Sequence, residues 1–260
     1  MTKKITYLVL IALFLASCSS KQKGSEIIRV NDAKSMQLNL SDYVVSLEYV
    51  PLETKSECLI DRNPSFYVLD EFIVATTQQQ CFLFDRNGKF IREIGRPGRG
   101  ADEYRFTLGG QTINEKKQTI LMLGWNKIIE HSFNGTVTNH FPVLPRTRTE
   151  TAYASESVLV RGIANYSGDA ISKLVFFNQE NAVDSIPNYQ FFNPLNPSAS
   201  GGLGGEFYFY RHSDDLYYKH LFNDTIFRIK DRKLHPVWVF DMGNYHLSYS
   251  ISVQIWSTKW

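Results

Sequence analysis

CFLFDRNGKFIREIGRPGRGADEYRF, Cys81 to Phe106, is a strand, a tight turn at Asn87-Gly88, a second strand and a glycine-rich loop. Asn-Gly between two apolar runs predicts a type I′ hairpin, whose two central residues both need positive φ. Immediately upstream, SFYVLD (Ser65 to Asp70) and FIVATT (Phe72 to Thr77) flank Glu71. Short β-rich runs separated by turn residues read as strands. The four runs from Ser65 to Ile94 therefore predict one four-stranded antiparallel blade.

Weaker copies follow. The second has TIN (Thr112 to Asn114), TILML (Thr119 to Leu123), KIIEHSF (Lys127 to Phe133) and TVTNHF (Thr136 to Phe141), turned at Asn134-Gly135. The third has TAYAS (Thr151 to Ser155), VLVRG (Val158 to Gly162), KLVFF (Lys173 to Phe177) and AVDSI (Ala182 to Ile186). The fourth has EFYFYR (Glu206 to Arg211), LYYKH (Leu216 to His220), DTIFRI (Asp224 to Ile229) and PVWVF (Pro236 to Phe240). Equivalent turns at Asn87, Asn134, Asn178 and Asp231 lie 47, 44 and 53 residues apart. Radial repeats of this period predict a β-propeller rather than a sandwich. No sustained 3.6-residue apolar period occurs after the N-terminal segment, so the expected class is all-β, with about four complete blades.

The remainder of the chain sets bounds. Its 260 residues suffice for one large domain, and a formal net charge of +2 gives no support to nucleic acid as a partner. Lys3 and Lys4 precede an apolar run, Ile5 to Leu15, that is too short to span a bilayer. The run ends in Leu15-Ala16-Ser17-Cys18, which reads as a lipoprotein cleavage site with Cys18 as the lipidated residue. The expected organisation is a signal peptide over 1–17, a tether over 18–40 and a propeller over 41–260. Ser19-Ser20-Lys21-Gln22-Lys23 is basic and neutral, which points to the periplasmic side of an outer membrane. Cys58 and Cys81 remain; their strand-like apolar contexts favour buried free thiols, with a disulfide as the alternative.

Three segments in this order carry a family resemblance: YVPLET (Tyr49 to Thr54), FDRNGKFIREIG (Phe84 to Gly95) with Arg96 to Tyr104 after it, and NDTIFRI (Asn223 to Ile229) with VFDMG (Val239 to Gly243). Together they resemble the six-bladed β-propeller lipoproteins of Bacteroides-type bacteria, related in architecture to NHL-repeat proteins. The resemblance implies fold and export and no defined activity. It also implies six blades closed by an N-terminal strand, here Val44 to Val50. With four blades before Trp260, an incomplete ring is expected, and a closed ring of four or five blades is the alternative.

Candidate chemistry centres on the glycine-rich loop. A phosphate cradle would lead into a helix N-terminus. This loop leads into another strand, so it reads as a blade-to-blade connection. Arg96, Arg99, Asp102, Glu103 and Arg105 are nonetheless candidate ligand contacts, since such loops gather on one propeller face. None of the six histidines has metal-site spacing, and His212 with Asp214 and Asp215 reads as a turn. No nucleophile motif is present. The aromatic set Phe207, Tyr208, Phe209, Tyr210, Tyr217 and Tyr218 should divide between core and surface, the outer members being able to stack sugars. Asn193 to Gly205 reads as a long insertion. The expected function is a tethered binding protein for a protein partner or small ligand such as a glycan, without cofactor or metal. The rival is an NHL-like lyase or lactonase using channel-facing His and carboxylates.

Overall fold

Four sheets succeed one another along the chain, each built on consecutive antiparallel strands, with one N-terminal strand added to the last. The computed structural model describes residues 24–30, 34, 36–143, 151–165, 168–193, 207–220 and 223–246. The signal peptide, Cys18, nearly all of the insertion and the Ile255 to Trp260 tail lie outside the described residues. After strand β1 (Glu26–Arg29), the first blade comprises β2 (Ser65–Val68), β3 (Phe72–Thr76), β4 (Cys81–Asp85) and β5 (Phe90–Glu93). The second has β6 (Phe106–Thr107) and β7 (Ile113–Asn114), both paired with β8 (Thr119–Leu123), then β9 (Lys127–Ser132) and β10 (Val137–Pro142). The third is β11 (Thr151–Tyr153), β12 (Leu159–Gly162), β13 (Ser172–Phe177) and β14 (Ala182–Pro187). The fourth is β15 (Phe207–His212), β16 (Asp215–His220), β17 (Thr225–Lys230) and β18 (Lys233–Asp241). The arrangement is a β-propeller of four blades, as the repeat predicts.

Alternation along the strands builds the junctions. On one face of the first blade Val74, Cys81 and Leu83 pack with Ile113, Ile120, Met122 and Phe133 of the second. Leu121, Ile128 and Phe141 of the second blade meet Tyr153, Leu159 and Phe177 of the third. Val160, Leu174 and Phe176 of the third meet Phe207, Phe209, Leu216 and Tyr218 of the fourth. Each buried side chain of this size contributes roughly 1.5–3 kcal/mol, so these three seams carry much of the stability. Among the described residues no buried cluster joins the fourth blade to the first.

The other face of the first blade, with Ile73, Ala75, Phe82 and Phe84, is covered by Cys58 and by partly buried Val50, Leu52 and Ile60. The YVPLET segment is thereby fixed against the FDRNG hairpin. Glu53 N–H donates to the Gly88 carbonyl at 2.8 Å, and the Glu53 carboxylate accepts from Phe90 N–H at 3.0 Å.

Two details differ from the sequence reading. Val44 to Val50 forms no strand and is largely exposed. β1, from within the expected tether, instead pairs in parallel with β18, Glu26 beside Trp238 through Arg29 beside Asp241. That edge of the fourth blade is therefore already occupied. The Asn87-Gly88 turn is also not type I′: Gly88 has φ +83° while Asn87 is not among the positive-φ residues. Gly88 N–H donates to the Asp85 carbonyl at 3.0 Å, and Asp85 Oδ1 accepts from Asn87 and Lys89 N–H. That is a type I turn with a left-handed glycine after it, a three-residue hairpin loop. Asn134-Gly135 repeats it, with Gly135 at φ +90°. The paired positive φ angles occur instead at Asp231 and Arg232, +50° and +58°, in the fourth blade.

Candidate functional site: the glycine-loop face

The loop from Gly95 to Arg105 is folded back on itself. Tyr104 N–H donates to the Arg96 carbonyl and Gly98 N–H to the Tyr104 carbonyl, both at 3.0 Å. The buried Tyr104 ring anchors it, its hydroxyl donating to the Gln79 carbonyl at 2.9 Å. The Glu103 carboxylate accepts Gly100 N–H at 2.7 Å and lies where a side chain at Gly98 would have to sit. Two of the loop glycines thus make room for an internal carboxylate, which is the close approach that glycine permits.

A hairpin turn of the second blade completes the face. Arg105 N–H donates to the Leu123 carbonyl at 2.6 Å, which brings the loop beside Trp125 between β8 and β9. The Trp125 indole N–H donates to the Gly98 carbonyl at 3.0 Å, and the residue is 51% exposed. The Arg99 guanidinium lies 5.2 Å from its centroid and that of Arg105 4.8 Å. Arg105 is equally close to Phe106. Cation–aromatic contacts of this kind contribute about 0.5–1 kcal/mol each at exposed sites and hold the guanidinium in place.

The loop's carboxylates are committed elsewhere. Asp102 pairs with His140 on β10 at 2.9 Å, and Glu103 caps the loop backbone. Arg96, Arg99 and Arg105 join no ion pair among the described residues. His131 is buried, and neither ring nitrogen is hydrogen-bonded among the described residues. Burial pushes its pKa down to about 4; the nearby Asp102 opposes this and His140 adds to it. A β-carbon at Gly95 (φ +67°) would come within 3.0 Å of the imidazole, so glycine roots the loop here.

Its neighbour in β9 faces the opposite seam. The Glu130 carboxylate, fully buried, accepts from the Tyr153 and Thr138 hydroxyls, each at 2.7 Å, from Lys117 Nζ at 3.2 Å, and from the Asn139 amide. Burial drives its pKa up, but these donors outweigh burial and hold it below the usual carboxylate value. A carboxylate satisfied on every side is a structural linker between blades.

The five residues singled out in the sequence all belong to this loop, Arg99 and Arg105 meeting at Trp125 while Asp102 and Glu103 turn away from it. Trp125 escaped the sequence reading, and His131 and His140 entered it only among six histidines without metal-site spacing, not as neighbours of this loop. Recognising Phe106 as the start of a strand paired with Leu123 would have placed Trp125 beside the loop. Elsewhere, Asp214 pairs with Lys116 at 2.7 Å and Asp215 with Arg228 at 3.3 Å. Phe207, Phe209 and Tyr218 face the core. Tyr210, Tyr217 and Trp238 stack along the other face, 5.1 and 5.4 Å between centroids. Among the described residues no group of three or more His, Cys, Asp or Glu is placed to hold a metal, and no helix is long and apolar enough to cross a membrane.

No curated protein matches the chain. Among solved structures, a protein of Bacteroides fragilis described as exported superposes with a TM-score of 0.62 at 15% identity, over 83% of this chain and 60% of its own. A DUF4221 member from Bacteroides vulgatus gives 0.46 at 13% identity, over 73% and 60%. The chain thus spans about 60% of the length of each of these two structures. A family profile, that of a domain of unknown function, matches from residue 25 to 258, and the chain belongs to this family, DUF4934.

Proposed function

We propose that the protein is an exported binding propeller, tethered to the outer membrane through lipid on Cys18, which takes its ligand on the glycine-loop face. The observation that carries this reading is Trp125, half-exposed and contacted by two guanidinium groups that have no carboxylate partner among the described residues. A rigid aromatic with fixed cations beside it is a recognition surface whose ordering cost is met in the free protein. Export is supported by the Leu15 to Cys18 sequence and by the exported neighbour. The sequence resemblance to six-bladed, NHL-like lipoproteins, carried by the YVPLET, FDRNGKFIREIG and NDTIFRI segments, points to the same setting.

Immobilised full-length protein should retain ligands from envelope extracts or glycan panels, and an Arg99→Ala, Trp125→Ala variant should lose them. Equal retention by folded variant and wild type would remove this face from the function.

A second reading, catalysis, draws on the Asp102–His140 pair at 2.9 Å. A carboxylate orients an imidazole in this way for general acid–base work. It requires turnover by the wild type that His140→Ala abolishes without loss of binding.

A further inference from the structure

Given the binding role proposed above, we infer that the ligand class of this face is an anionic saccharide, a sugar chain carrying carboxylate or sulfate groups. Three observations converge. The first is charge. Arg96, Arg99 and Arg105 stand within one ten-residue loop without an ion-pair partner among the described residues, although two carboxylates belong to the same loop. Asp102 is turned to His140 and Glu103 to the backbone, so neither is ion-paired with a loop arginine; of the three cations Arg96 alone feels a neighbouring carboxylate among the described residues, that of Glu93. A guanidinium offers five N–H donors in a planar fork that matches carboxylate and sulfate oxygens.

The second is preorganisation. Arg99 and Arg105 are held against Trp125, and Trp125 is tied to the Gly98 carbonyl. The cations are therefore positioned before any ligand arrives, and less side-chain freedom is lost on binding.

The third separates sugar from peptide. With its N–H already used, the exposed part of the indole presents only carbon and C–H surface. A ligand suited to this face needs an anionic group and a C–H-rich surface within one small ring. A uronate or sulfated pyranose has both in one unit. An acidic side chain has its carboxylate at the end of one or two methylenes and leaves the indole largely uncovered.

The test is titration of the full chain, followed by Trp fluorescence and calorimetry, with four probes: a uronate-rich or sulfated oligosaccharide, a neutral oligosaccharide of equal length, a poly-glutamate peptide and inorganic sulfate. The anionic oligosaccharide should bind, and affinity should fall on raising salt, since exposed charges are screened within about 8–10 Å at physiological ionic strength. Arg99→Ala and Arg105→Ala should each weaken it by on the order of tenfold. Arg99→Lys should restore only part of the loss, because lysine keeps the charge without the planar fork. Tighter binding of the neutral sugar to the same residues would overturn the anionic assignment while leaving the binding role intact. Tighter binding of poly-glutamate, or binding of sulfate alone as strong as that of the oligosaccharide, would overturn the saccharide assignment. No response of Trp125 to any probe, or to the envelope extracts, would remove both.

Discussion

The Tyr153 hydroxyl donates a 2.7 Å hydrogen bond to Glu130, across the seam between the third blade and the second. The same hydroxyl lies 3.0 Å from Thr119 Oγ1, and Lys117 reaches both the carboxylate and the Glu156 carbonyl. Two blades packed along an apolar seam are thereby fixed in one register.

Removing that hydroxyl leaves a buried acceptor short of a donor. Tyr153→Phe should cost about 1–3 kcal/mol in denaturant unfolding at neutral pH. Glu130 has its folded pKa below the ordinary 4.5. Its contribution is therefore present above the unfolded value and is lost as pH falls through the folded one. Glu130→Gln should remove that acid-range slope. An unchanged slope between wild type and variant would show that the carboxyl is not ionised in the seam.

His131 works in the opposite sense, as a liability. The imidazole titrates near 4 when folded and near its ordinary 6.5 when unfolded. The unfolded chain binds the proton more readily between these values. Stability is then intact above about pH 6.5, declines as pH falls, and the loss levels off below about 4, at on the order of 3 kcal/mol. His131→Phe should match or exceed wild-type stability at pH 7 and flatten the decline. A loss of more than about 1 kcal/mol at pH 7 would mean that the ring nitrogens have partners, such as internal water.

The blades were legible in the sequence because period-two alternation and turn residues are local signals. Val74, Cys81 and Leu83 on one side and Ile73, Phe82 and Phe84 on the other follow from alternation alone. A short strand in the tether region was legible, but the place of β1 in the fold was not: EIIR is four residues whose partner lies more than 200 positions away. Trp125 stayed hidden for a similar reason, since its neighbours Arg99 and Arg105 come from a separate loop. The Asn-Gly turns show a subtler limit. The dipeptide marked the turn, but the side chain of Asp85, by accepting two N–H groups, chose the three-residue form over type I′.

Gly88 offers a sharp test of that turn. It holds φ +83°, and a β-carbon there would run into the Pro51 carbonyl. Gly88→Ala should destabilise by roughly 1–3 kcal/mol, from left-handed strain together with displacement of the YVPLET segment. Gly135→Ala, at φ +90° with only the Arg92 side chain nearby, should cost less. Equal costs would show that strain alone, and not contact with Pro51, sets the penalty.

The proposed tether makes a prediction about Cys18. Cells expressing the full chain should incorporate labelled fatty acid into it and hold it in the outer-membrane fraction. Cys18→Ser should abolish both and release the protein in soluble form. Labelling that persists in the variant would place the anchor elsewhere.

Cys58 and Cys81 are both free and buried, and the first blade stands between them. Cys81 points from β4 into the seam with the second blade, whereas Cys58 packs on the opposite face with Phe82 and Phe84. A disulfide would have to pass through the sheet. Burial also raises the Cys81 thiol far above its ordinary value, and the Glu93 carboxylate adds to this. Since the thiolate is the reactive form, Cys81 should resist a thiol reagent in the native state and react only on unfolding. Purified protein with Cys18 replaced should titrate two thiols in denaturant without reductant, and close to none before it is added. Recovery of a Cys58–Cys81 disulfide peptide from native protein would require the first blade to be rebuilt, because no rotation of either side chain brings the two sulfurs to the same face.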